Sequence, residues 1–178
     1  MDMDRFFAIV IPLLLVFLAD RILRTLFIKW YLRFGVPVFS VGRDLPGAPS
    51  EWPSPKSLES HLRHVIFGHT VFRDFGDGLY GFHFGSHSLL HGLLEFRATL
   101  PHVRATAKAS IGTCLFVLFW FGWTLITGAP GLTLGGAAVL AALVVVEYGR
   151  LLRLIEEARR QCTLKIGGAI IKRNHNNA

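Results

Sequence analysis

Three histidines, His83, His87 and His91, recur at intervals of four. On a helix that interval stacks three imidazoles along one face, the arrangement of a zinc, copper or haem site. The residues between them oppose a helix. Gly81, Gly85 and Gly92 punctuate the run, and Phe82 and Phe84 alternate with His83, which favours a strand, a turn and a following segment. Spread over those elements the imidazoles need not converge, and no acidic residue lies close in sequence to orient one. Four more histidines, His61, His64, His69 and His102, fall in the same central region. Ordinary hydrogen-bonding and surface roles account for them more simply than a metal does, and no cofactor is expected.

Asp20 is the next candidate. It interrupts an apolar stretch, where a carboxylate marks a proton or ion pathway by default. Arg24 lies one helical turn further on and Arg21 is adjacent, so an interfacial ion pair is the favoured reading. Glu147 closes the last apolar stretch and is expected to face Arg21 or Arg24 across helices. Other chemistry is sparse. Ser86-His87-Ser88 lacks the glycine spacing of a nucleophile elbow, and Gly76-Asp77-Gly78 is no phosphate loop. Asp74, Asp77 and Glu95 form no recognisable acid–base pair. Cys114 lies in an apolar run and Cys162 in a charged tail, so no disulfide is expected, and two thiols are too few for a thiolate zinc site.

These residues depend on elements whose solvent is unusual. The chain of 178 residues is 52% hydrophobic and only 17% charged, with a mean hydropathy of +0.45. A water-soluble protein of this size would expose large apolar patches. From Ala109 to Val146 no Asp, Glu, Lys, Arg or His occurs over 38 residues. As one helix this stretch would measure roughly 57 Å, nearly twice the hydrocarbon core. Gly128-Ala129-Pro130-Gly131 supplies the break, predicting a helical hairpin over Ile111–Thr127 and Leu132–Tyr148. An uncleaved anchor begins at Phe6 and continues past Asp20 to Ile28. Trp30 and Tyr31 after it, and Trp120 and Trp123 near the hairpin tip, are expected interface anchors. The small residues Gly135, Gly136, Ala137, Ala138, Ala141 and Ala142 predict close packing on another span, with a homo-oligomeric contact as the alternative.

The formal charge is +7, but the cations flank the apolar stretches and form no aromatic-interleaved basic patch, so nucleic acid is not an expected partner. Arg5 alone precedes the first span. Arg21, Arg24, Lys29, Arg33 and Arg43 follow it, and Arg97, Arg104 and Lys108 precede the hairpin. Arg150, Arg153, Arg159, Arg160 and Lys165 follow the third span, and the tip has none. The positive-inside rule then predicts a multi-pass protein of the inner membrane, with the N-terminus outside and the C-terminus cytoplasmic.

The middle region reads as α+β. Val36 to Val41 is a strand, with Pro37 marking an edge. Pro55 opens a helix carrying Leu58 and Leu62. Strands over Thr70–Phe75 and Leu79–Phe84 flank the Gly76-Asp77-Gly78 turn, and Leu93–Leu100 follows. Pro101 is expected to open the helix that runs into the second span. Leu151, Leu152, Leu154 and Ile155 form a stripe on an amphipathic tail helix that either lies on the membrane or packs under the domain. The last residues, from Lys172, read as disordered.

Val36-Pro37-Val38-Phe39, Phe72-Arg73-Asp74 and His91-Gly92 carry a resemblance to uncharacterised families of small bacterial multi-pass membrane proteins. In those families one anchor leads to a β-rich cytoplasmic segment and then a helical hairpin. The resemblance implies a topology and supplies no function.

The expected fold is therefore a membrane α-helical protein with a small α+β domain. It has three transmembrane helices and a short antiparallel meander of three or four strands with one helix. Its divisions are an anchor over 1–34, a cytoplasmic domain over 35–108, a hairpin over 109–149 and a tail over 150–178. The function expected is non-enzymatic: a membrane protein presenting its β-rich domain to a protein or lipid partner. The alternatives are a metal- or haem-binding protein using His83, His87 and His91, and a lipid-modifying enzyme using His91, Glu95 or Asp74.

Overall fold

The computed structural model describes residues 3–26, 28–47, 52–62, 70–85, 88–97, 101–128 and 130–176; the side chains at 3–9, 24, 25, 61 and 167–176 lie outside that description. The elements run α1 (Met3–Thr25), α2 (Lys29–Arg33), β1 (Val36–Asp44), α3 (Pro55–Leu62), β2 (Val71–Asp74), β3 (Leu79–His83), β4 (Leu90–Arg97), β5 (His102–Ala109), α4 (Ile111–Ile126) and α5 (Pro130–Asn176).

Five strands form one antiparallel sheet in the order β1-β5-β4-β3-β2. β2 to β5 are a meander, and β1 closes the far edge beside β5. The tight turn between β2 and β3 needs left-handed backbone at Gly76, Asp77 and Gly78 (φ +85, +54 and +73°), which glycine and aspartate tolerate best. Asp74 Oδ1 accepts from the Gly76 amide at 2.7 Å and fixes its start. β1 is irregular between Pro37 and Phe39, a bulge at an edge strand, where a proline without an N–H does least harm. At Gly92 a Cβ would run into the Thr106 carbonyl and the Phe82 ring, so only glycine lets that ring lie on the strand.

β5 corrects the expectation that Pro101 opens a helix. Val103, Ala105 and Ala107 are fully buried while Arg104 points out. That period of two outweighs the helix propensity of the alanines, because each inward position is filled by a neighbour. With β5 and β1 the sheet has five strands rather than three or four.

One face of the sheet carries Tyr80, Phe82, Leu90, Leu94, Phe96, Val103, Ala105 and Ala107. It packs against Leu58 and Leu62 of α3 and against Leu151, Leu154, Ile155, Ala158 and Cys162 of α5. Those α5 positions follow the three-and-four spacing of one helical face. The tail helix therefore packs under the domain, and helix continues to Asn176. The opposite face carries Leu93 with Val71 and Leu79, and Leu32 of α2 caps it.

α1 packs along α4, and α4 along the first half of α5. Outward from this layer point Leu14, Leu15, Leu18, Leu118, Leu125, Ile126, Leu132, Leu134, Val139 and Val145, all exposed. The expected class with three transmembrane helices is corrected here. Among the described residues one helix, in the first part of α5, is long and apolar enough to cross a membrane. α4 has 16 residues, about 24 Å of helix against a hydrocarbon core of about 30 Å. α1 carries Asp20, Arg21 and Arg24 near its end, and Asp20 is buried against protein. The hairpin is also unequal. Its break falls at Gly128, in left-handed backbone, and α5 continues without interruption past Tyr148 for 47 residues in all.

Two outcomes test this division of α5. Leu154→Ala, at a fully buried position, is expected to destabilise the fold by about 2–5 kcal/mol. Leu134→Ala, at a position 72% exposed, is expected to change it by about 0.5 kcal/mol or less. Thermal unfolding in mild detergent reads both. Tyr80 supplies a pH signature. Burial, with the charges of Asp74 and Cys162, pushes its phenol from 10.0 to about 12. The folded state then holds a proton that the unfolded chain releases, so stability is fully present below pH 10 and falls as pH rises toward 12. Tyr80→Phe is expected to flatten that part of the stability–pH curve.

Candidate functional site

A buried polar cluster lies where α1, α2, β4 and α4 meet. Asp20, near the end of α1, is only 3% exposed. The Tyr31 hydroxyl donates to its Oδ1 in a short hydrogen bond, and Ser110 Oγ donates to its Oδ2 at 2.8 Å. Ser110 is the N-cap of α4, accepting from the Thr113 amide at 3.1 Å. A Cβ on Gly112 would strike the Asp20 side chain, so the first turn of α4 presents bare backbone to the carboxylate. A negative charge at a helix N-terminus is favourable, and more so out of water. Tyr31 also stacks on His91, with ring centroids 6.2 Å apart. His91 is fully buried on β4 and its Nε2 lies 3.2 Å from the Phe34 carbonyl.

Chemically this is a clamp. Both oxygens of Asp20 are held by hydroxyl donors from other elements, so the carboxylate ties α1 and α2 to the start of α4. Arg21 lies over the Phe17 ring at 5.7 Å, and the side chain of Arg24 lies outside the described residues. Ser110 was within reach of sequence reasoning as a serine immediately before an apolar helical run. Tyr31 had no local signal as an Asp20 partner.

The histidines are only partly brought together. His83 and His91 stand directly opposite on β3 and β4, and His87 lies outside the described residues. Among the described residues no group of three or more His, Cys, Asp or Glu could hold a metal ion. His102 pairs with Asp44 at 2.9 Å at the other end of the sheet. The residues weighed for lipid chemistry stay apart. Glu95 is four positions from His91 on β4, roughly 13 Å along an extended strand, and pairs with Arg97 at 3.5 Å. By strand register Asp74 belongs to the opposite sheet face, where it holds the β2–β3 turn.

Glu147 is also buried, at 4% exposed, and pairs with Arg150 on its own helix at 3.3 Å. Ser88 lies beside it. Trp30 is exposed and meets Tyr31 and Phe34 edge-on at 5.8 and 5.9 Å. Trp123 stacks on Phe119. Trp120 lies against Gly136, which is the close approach that the small residues of α5 allow. Gly135 and the alanines beside it face outward. Trp120, Gly135, Val139 and Leu143 border an apolar groove of about 460 Å³ between α4 and α5.

Comparison with family models, with curated proteins and with solved structures returns no match.

Removing the clamp should loosen the joint. Asp20→Asn is expected to cost about 1–3 kcal/mol, because a buried hydroxyl donor is left poorly matched, and Ser110→Ala about 1 kcal/mol through the lost cap. The double variant should cost less than the sum, since both changes break one bond. Detergent-phase unfolding gives these values. Hydrogen exchange over residues 111–114 should rise in each variant and stay unchanged in Arg97→Gln at the distal end of the sheet.

Proposed function

We propose that this chain is a non-enzymatic membrane-bound accessory protein that holds a five-stranded domain against the inner leaflet as a docking surface for a partner. The observation that carries this reading is α5. Its first part is apolar and almost wholly exposed, unlike the core helix of a water-soluble protein. Its second part is built into the sheet's core through Leu151, Leu154, Ile155, Ala158 and Cys162. One uninterrupted helix thus couples a lipid-soluble surface rigidly to a folded polar domain. The exposed apolar side chains of α1 and α4 extend the same surface, which in water would far exceed the patches soluble monomers tolerate.

Several features support docking over chemistry. The carboxylates of Asp20, Glu147, Glu95 and Asp74 are engaged in a clamp, two ion pairs and a turn. Beyond α2 the sheet offers Ser40, Arg104 and Thr106 at its surface, linked by hydrogen bonds at 2.9 and 3.3 Å, a rigid polar platform suited to a protein partner. The Lys and Arg distribution favours a cytoplasmic position for this platform at an inner membrane.

Membranes washed with alkaline carbonate should retain the protein, and nonionic detergent should release it. Protease should reach the sheet domain from the cytoplasmic face alone. A chain that is monodisperse in buffer without detergent, or a sheet domain cut only from the outer face, would overturn the proposal.

A further inference from the structure

We infer that the membrane-proximal corner of the sheet is a binding site for the phosphate headgroup of an anionic phospholipid, formed by Arg33 and Lys108 and wedged by Phe34 and Val36. The inference rests on the membrane-bound reading above and adds the lipid class and the residues that select it.

Strand register locates the corner. Val36 and Leu90 both pair with Ala109, and Lys108 pairs with His91 and Pro37. Ala109 and Lys108 lie one and two residues before Ser110, where the chain turns into α4. Phe34 is tied to the same level through its carbonyl and His91 Nε2. These residues therefore sit at the junction between the sheet and the exposed apolar helices.

Charge at this level is asymmetric. The two carboxylates at the junction, Asp20 and Glu147, are buried and turned inward onto Ser110, Tyr31 and Arg150. Two cations beside them face the surface. Arg33 is exposed and Lys108 half-exposed. Lys108 Nζ donates to the Arg33 backbone carbonyl, a contact that fixes the ammonium beside Arg33 and neutralises neither charge. Neither cation has a carboxylate partner among the described residues. Two adjacent cations without a counter-ion, one a planar fork and one a compact ammonium, match a phosphodiester.

Beside them the surface is apolar. Phe34 and Val36 are 59% and 56% exposed, and Trp30 packs edge-on against Phe34. In water this combination exposes aromatic and β-branched surface to no benefit. At a lipid boundary the rings enter the acyl region while the cations meet the headgroups. An acidic protein would satisfy the charges but would leave these side chains uncovered at the bilayer boundary, so the lipid is the favoured occupant.

The test uses the full-length protein in nanodiscs of phosphatidylcholine alone or with phosphatidylglycerol, at low and high salt. Added phosphatidylglycerol should raise the melting temperature, and the rise should shrink in salt. Brominated phosphatidylglycerol should quench tryptophan emission more than brominated phosphatidylcholine does, and Trp30→Phe should abolish the difference. Arg33→Gln and Lys108→Gln should each weaken the apparent affinity about fivefold. Arg33→Lys and Lys108→Arg should restore most of it, which separates lost charge from lost folding. Arg97→Gln, at the distal end of the sheet, should leave it unchanged. Equal response to both lipids, or a preference that survives the double glutamine variant, overturns this inference while carbonate-resistant membrane association leaves the membrane reading standing. A chain soluble without detergent overturns both.

Discussion

The structure depends on one helix meeting two environments without a break. α5 has no internal glycine–proline interruption after Gly131, so its backbone hydrogen bonds continue from the exposed apolar part to the part buried under the sheet. An α-helix is the one element that can do this, because it satisfies its own polar backbone whatever surrounds it. The change of environment is written only in side chains. Before Glu147 the helix is apolar on all sides. After Arg150 it is amphipathic, and its apolar stripe fills the sheet's open face.

Everything else in the molecule secures that change of environment. The sheet alone has too small a core to be robust, and its apolar face, with Tyr80, Phe82 and Phe84, is covered by α3 and α5 together. On the other side α2 covers Leu93, and Tyr31 from α2 reaches Asp20 of α1. Asp20 in turn meets the cap of α4. The carboxylate thus joins three elements, α1, α2 and α4, in a buried site where water is a poor competitor and an unmatched charge would be costly. Glu147 and Arg150 repeat the logic on α5. The acids Asp20 and Glu147 thus face inward, while Arg33 is exposed and Lys108 half-exposed.

Part of the site was legible locally. An acid in an apolar run, two aromatics after it and a serine before the next apolar run are all visible in the chain. Their mutual contact was not. Asp20 and Ser110 are separated by 90 residues, and sequence spacing weighs only near neighbours such as Arg21 and Arg24. The histidine interval of four suggested a helical face, which the glycines and alternating phenylalanines between them already opposed. His83 and His91 do face each other, but through antiparallel register across β3 and β4 and not through a helical turn.

By itself the sequence determined the apolar character of residues 109–146, the corner at Gly128–Gly131, the β2–β3 turn and the first three strands of the sheet, since each follows from local periodicity or turn chemistry, whereas the strand expected over Leu93–Leu100 is β4 at Leu90–Arg97, which starts three residues earlier. It also determined that cations crowd the ends of the apolar stretches. Only the tertiary structure decided that 102–109 is a strand, that α5 runs on beneath the sheet, that among the described residues one helix and not three has the length and composition to cross a bilayer, and which charges face inward. Those outcomes depend on which surface covers which. A segment such as β5, with alanines alternating with polar residues, is neutral between helix and strand until its partners on either side exist.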